Sequence, residues 1–289
     1  MTIPLTTREQ LTVLAANTAA GSLAAAQQGA HVYAWQPASD SRPVLFLSPR
    51  SHFAPGKAIR GGVPLCFPWF GPHASDPRAP QHGFARTATW AIDESVTETD
   101  GTMRLAFGLR STPATRDVWP HAFEARFTVR AADSLRLALE VRNTDTSPFT
   151  FGAALHTYLA VSDVRHIAVH GLEDTPFLDK VGGDTVPRRQ GPGPLTFSGE
   201  TDRIYLPTTA TCVVEDAAWA RRIHVAKAGS RSTVVWTPWT DKARAMSDLG
   251  EDAWPGFVCI ETCNAADDTV TLAPGERHTL STTLSVEPN

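Results

Sequence analysis

Charge is sparse in this sequence. Charged residues make up 19% of the 289 positions, the net charge is −4, and no long run carries one sign. That argues against nucleic acid or an anionic membrane as the main partner. Cysteine is scarce as well. Cys66, Cys212, Cys259 and Cys263 form no CxxC pair and lie in apolar stretches, so they read as buried, reduced thiols in a cytosolic protein. A Cys259–Cys263 link stays open, with little in the spacing to recommend it. No stretch reaches the about 18 uninterrupted apolar residues of a membrane span, and MTIPLTTREQL lacks the basic and apolar segments of a signal peptide. The default expectation is a cytoplasmic protein. GxGxxG, Walker-type, HExxH and GxSxG motifs are all missing, which weighs against nucleotide binding, a zincin site and an α/β-hydrolase. The ten histidines could in principle join a glutamate around zinc, but they lack ligand spacing, so no metal is expected.

What is present is strand periodicity. In Leu135–Arg142 the apolar side chains fall on alternate residues, the pattern of a strand with one buried and one wet face. Met103–Arg110, Phe123–Arg130, Arg222–Lys227, Thr269–Leu272 and Thr279–Val286 read similarly. Pro274-Gly275 between the last two signals a hairpin. Helical signals are weak: Thr7–Ala19, after a Thr cap, and a short segment in Thr240–Leu249 ended by Gly250. The 22 prolines and 20 glycines mostly punctuate the strand candidates, and no βα alternation is visible, so the class is all-β, a sandwich or barrel. Asp184–Pro194 reads as a long surface loop rather than a boundary, and residues 1–289 as one domain.

Four segments concentrate functional side chains. In Arg60–Gly71 two glycines after an arginine let the backbone approach a ligand closely, and Phe67, Trp69 and Phe70 read as core aromatics. Arg60 itself suits a ligand contact and a surface turn equally. Pro80–Arg86 gathers Gln81, His82 and Arg86; on a strand Gln81 and Arg86 would face apart unless Gly83 turns the chain. Such a cluster suits sugar hydroxyls and a phosphate, whose oxygens match the guanidinium fork, although alone it reads as an exposed polar turn. His156 interrupts an apolar strand, where a satisfied core histidine is the commoner case. Glu261 follows the apolar run Phe257–Ile260, where burial would raise its pKa and make it a better base near neutrality; the plain alternative is a strand-end carboxylate in solvent.

The stretches RGGVPLCFPWFGPH, PQHGFAR, LHTYLAVSDV, GLEDTPFLDK, ETDRIYLP and FVCIETCNA, in that order over residues 60–265, resemble the aldose 1-epimerase superfamily. Within it they resemble the hexose-6-phosphate mutarotases, or glucose-6-phosphate 1-epimerases. RGG-P-FPWFG with QHGFAR separates that branch from mutarotases of free sugars. The resemblance implies a large antiparallel β-sandwich of galactose-mutarotase type and, by analogy, a monomer. It implies that His156 and Glu261 are catalytic, that Arg60 and Arg86 contact phosphate, and that Gln81, His82 and Asp202 contact the sugar. The implied reaction needs one acid, one base and no cofactor: it interconverts the α and β anomers of a hexose 6-phosphate. Three alternatives remain: an aldose 1-epimerase acting on free sugars, a non-catalytic sugar-phosphate binding protein, and a metal-dependent β-barrel enzyme.

Overall fold

The computed structural model describes residues 1–183 and 186–288. Among them, two eight-stranded sheets dominate, flanked by a four-stranded sheet made from the first 37 residues and a small two-stranded pair. One large sheet runs in the order Ala168–His170, Cys212–Asp216, Arg221–Ala228, Arg277–Pro288, Ser134–Asn143, Phe123–Ala131, Met103–Arg110, Ala91–Thr97. Its strands alternate: in Phe123–Ala131 every odd-numbered residue is buried, while the even-numbered ones are half-buried or exposed. This is the one-face-dry pattern expected of the sequence.

The second large sheet is buried more completely. Its order is Arg188–Arg189, Pro176–Asp179, Thr201–Tyr205, Ser232–Thr237, Phe257–Asn264, Ala153–Leu155, Leu65–Cys66, with Tyr158–Ala160 also pairing with Phe257–Asn264. All eight residues of Phe257–Asn264 are buried. Apolar side chains from Ile3 to Leu284 form one large cluster between the layers. The four cysteines are buried and free, so Cys259 and Cys263 are not linked. Among the described residues no helix is long and apolar enough to cross a membrane.

Three expectations need correction. Thr7–Ala19 is not helical: Leu5–Arg8 and Leu11–Thr18 pair as an antiparallel hairpin, with Glu9 at positive φ in the turn. Its β-branched residues (Thr6, Thr7, Thr12, Val13, Thr18) keep an easy rotamer in extended chain, and pairing with Gly21–Ala26 settles the choice. Pro274-Gly275 does turn the chain, but the strands on either side do not pair. Val270–Leu272 joins Phe149–Phe151, while Arg277–Pro288 joins Ser134–Asn143 and Arg221–Ala228. The turn is held instead by Asn143, whose carbonyl accepts from Gly275 N and whose N–H donates to Glu276 O. In the stretch 184–194, residues 184 and 185 lie outside the described part; Arg188–Arg189 beyond them is a short edge strand rather than loop. The second helical expectation holds in shortened form, as Trp239–Ala245 with Gly250 at φ +80° beyond it.

Candidate active site

Strand register builds the site. Leu155 pairs with Thr262 and Tyr158 with Cys259, so the antiparallel ladder puts His156 directly across from Glu261. Directly opposed residues project to the same face. The register continues through Val234, which pairs with Glu261, and Trp236, which pairs with both Cys259 and Asp202. Lys180 N donates to Asp202 O and extends that row. One face of the sheet thus carries Lys180, Asp202, Trp236, Val234, Glu261 and His156.

Two loops wall this face. Arg60-Gly61-Gly62-Val63 threads between the segments around Leu47 and Val32. Gly61 and Gly62 have φ of +115° and +62°, and a Cβ on them would stand 2.4 Å from Phe46 O and 2.3 Å from Val32 O. Only glycine lets the chain pass so close, and that passage delivers Arg60 to the pocket. His31 Nε2 contacts Gly61 O at 2.8 Å. The second wall is Gln81–Arg86. His82 (φ +66°) and Gly83 turn the chain, so that Arg86 Nη2 donates to Gln81 O at 2.8 Å and both side chains face the pocket. The turn expected at Gly83 is present, with Gln81 exposed and His82 and Arg86 half-buried.

All seven residues singled out from the sequence line a single cavity of about 300 Å³: Arg60, Gln81, His82, Arg86, His156, Asp202 and Glu261. Sequence reasoning missed Phe70, Lys180, Val234, Trp236, Lys242 and Met246, which share its wall. Phe70 has the sequence setting of a core aromatic, yet it faces the cavity. Lys180 and Trp236 are readable only through their register with Asp202. A larger hollow of about 770 Å³ lies on the outer face of the other large sheet. It holds none of the seven, and its charges pair with one another, as in Arg110–Glu124 and Arg277–Glu140.

His156 Nε2 lies 3.4 Å from Glu261 Oε1. Glu261 is 1% exposed and His156 8%, so neither is a solvent-facing strand end. Glu261 Oε2 and His156 Nδ1 have no hydrogen-bond partner among the described residues. Burial pushes Glu261 well above the usual carboxylate range; Asp202 adds to the rise and Lys180 opposes it. Burial pushes His156 well below the usual imidazole range, helped by His82, Arg60 and Arg86. His82 is lowered to about 3 by burial and by the cations Arg86, Lys180 and Arg60. Its Nδ1 accepts from Gly71 N at 3.1 Å, which leaves its proton on Nε2 as a neutral donor.

The cations differ in their pairing. Lys180 meets Asp202 at 3.6 Å and Lys242 meets Glu200 at 2.6 Å. Arg60 Nη2 stands 3.0 Å from Asp248 Oδ2. Burial alone would lower the Arg60 pKa, but Tyr158 and Asp248 raise it, so its charge is secure. Among the described residues no carboxylate pairs with Arg86, whose charge is open to an anion.

The chain as a whole has counterparts among known proteins. The aldose 1-epimerase family profile matches residues 12–285. The chain belongs to the aldose 1-epimerase family. It is 36% identical over 269 residues to a Cenchrus ciliaris protein named "Putative glucose-6-phosphate 1-epimerase", covering 90% of this chain and 80% of that one. The crystal structure of a Salmonella typhimurium protein described as a "putative mutarotase (YeaD)" superposes with a TM-score of 0.92 at 33% identity, over 100% of this chain and 94% of that one. A galactose mutarotase-like protein from Clostridium acetobutylicum, at 14% identity, shares the fold with a TM-score of 0.74 over 99% and 98% of the two chains. The family member described here therefore has the all-β architecture of the galactose mutarotases.

Proposed function

We propose that this aldose 1-epimerase family member is a hexose-6-phosphate mutarotase, an isomerase that interconverts the α and β anomers of glucose 6-phosphate and similar sugar phosphates. The observation that carries the reading is the His156–Glu261 pair, 3.4 Å apart on the floor of a pocket walled by Arg60 and Arg86. The names of its relatives point the same way.

Ring opening requires removal of the anomeric hydroxyl proton and delivery of a proton to the ring oxygen. Glu261 takes the first and His156 gives the second, each step of acid–base help contributing about 10² to 10⁴-fold. The open aldehyde turns about C1–C2 and closes on the other face with the roles reversed. No redox change or group transfer occurs, so the chemistry asks for no cofactor. Arg60 and Arg86 hold the phosphate, which carries roughly −1.5 to −2 charge at pH 7. These arginines are also among the groups that depress His156. A bound phosphate offsets them and brings the imidazole toward the protonated form an acid needs. His82, a neutral Nε2–H donor, together with Gln81 and Asp202, meets sugar hydroxyls.

The same reading has the chain as one domain over 1–289, supported by the apolar cluster drawn from Ile3 to Leu284. It acts as a cytoplasmic monomer on a small molecule, without nucleic acid or membrane. The test is NMR exchange spectroscopy on equilibrated glucose 6-phosphate, with free glucose and galactose in parallel. Acceleration of the phosphorylated sugar supports the proposal. Acceleration confined to free sugars moves it to an aldose 1-epimerase of unphosphorylated substrates, and binding without acceleration makes it a sugar-phosphate binding protein.

A further inference from the structure

Behind the pocket, two residues that do not line it are joined to residues that do. Tyr158 is 1% exposed and its hydroxyl accepts from Arg60 Nη1 at 3.0 Å. Its ring also stacks on the His156 imidazole, with centroids 4.9 Å apart and planes within 11°. On the other side of the guanidinium, Arg60 Nε donates to Asp248 Oδ2 at 3.1 Å. Asp248 is itself anchored, because its carbonyl accepts from Ser48 Oγ at 2.7 Å. An arginine side chain in a pocket wall has many rotamers to lose on gripping an anion. Here two acceptors on different edges of the guanidinium hold it before any ligand arrives.

We infer that Tyr158 and Asp248 are positioning residues: together they fix Arg60 in one orientation, and Tyr158 registers that arginine to the plane of His156. One buried side chain then ties the group that meets the phosphate to the group that meets the ring oxygen, and these two stand close together on the hexose because the ring oxygen and C6 are both bonded to C5. Tyr158 also follows from the ladder, since it stands two residues after His156 and projects to the same face. This inference rests on the mutarotase reading for its substrate, but the geometry it describes is testable without that reading.

Tyr158→Phe keeps the buried ring and its stack and removes only the acceptor, so it is the cleaner probe; Asp248→Asn keeps shape and removes charge. Each is expected to raise KM for glucose 6-phosphate about 10-fold more than KM for free glucose, the usual scale for a hydrogen bond to a charged group. In an Arg60→Ala background Tyr158→Phe should add less than about twofold, because residues acting through one partner are not additive. Equal KM changes on both sugars, or losses that multiply independently of Arg60, would overturn the inference. If the wild-type protein accelerates no sugar, the mutarotase reading fails. Calorimetry with inorganic phosphate then completes the same cycle, with Tyr158→Phe expected to weaken binding in the wild type and not in Arg60→Ala. Equal weakening in both backgrounds overturns the inference. A further readout is the ¹⁵N chemical shift of the His156 ring, which phosphate should move in wild type and move less in Tyr158→Phe. An identical response in the two proteins also counts against the coupling.

Discussion

Replacing Glu261 with glutamine separates catalysis from stability. The amide has the shape of the carboxyl group but cannot take the anomeric proton. The loss of one general base costs about 10² to 10⁴-fold, or about 3 to 5 kcal/mol of barrier. Stability should move the other way. Burial raises the Glu261 pKa well above 4.5, so the native state binds this proton more tightly than the unfolded chain does. The resulting stability is complete below about pH 4.5 and is lost as pH rises toward the raised native pKa, at about 1.4 kcal/mol for each pH unit between the two values. Glutamine carries no such penalty. The expected result is that Glu261→Gln is nearly inactive yet at least as stable as wild type at pH 7.5, with the stability difference shrinking at pH 4.5. Urea midpoints at both pH values, set beside NMR exchange rates on glucose 6-phosphate, measure it. A variant that keeps substantial activity refutes the base. One that loses stability as well as activity shows Glu261 to be a structural anchor.

The other predictions concern charge, titration and backbone. Arg86→Ala should raise KM for glucose 6-phosphate about 10-fold or more above any change for free glucose, since no described carboxylate neutralises that arginine; steady-state NMR on both sugars reads the ratio, and equal losses would remove the phosphate role. His31 is held at about 4 against 6.5, by burial before all else. Its stability contribution is complete above about pH 6.5 and declines as pH falls toward about 4, by about 3 kcal/mol in total. Urea titrations of His31→Gln should therefore show a flatter pH dependence in that window, and an unchanged slope would place the titration elsewhere. Gly62→Ala forces a side chain into positive φ against the Val32 carbonyl, and should destabilise by at least about 2 kcal/mol in urea; a cost below about 0.5 kcal/mol would mean the loop yields freely.

Much of the architecture is legible where one strand face is wet. Met103–Arg110 has the observed bounds, and Leu135–Arg142 falls one residue short at each end, because alternation records burial directly. Thr7–Ala19 misleads because a hairpin depends on partners far along the chain. The turn at Pro274-Gly275 is visible, but its partners are not, since local residues do not say which sheet a strand joins. The same limit applies to the site. His156, Glu261 and the arginines stand out as polar groups in apolar or glycine-rich settings. Lys180 and Trp236 have ordinary surroundings and gain meaning only when ladder register brings them beside Asp202, and Lys242 reaches the pocket from the helix Trp239–Ala245.

The strand Phe257–Asn264 has a consequence for how this protein loses function. Glu261 sits mid-way along a fully buried strand, and His156 lies in the gap between the two short strands that pair with it on one side, with Ile260 N bonded to Thr157 O at 3.1 Å. The amides that set the distance between His156 and Glu261 are thus the ones whose exposure requires the core to open. Local fraying cannot misalign the pair without global unfolding. Hydrogen exchange at these amides should therefore be as slow as anywhere in the chain, and on heating, activity should persist until the cooperative transition and vanish with it, with no inactive but folded stage in between.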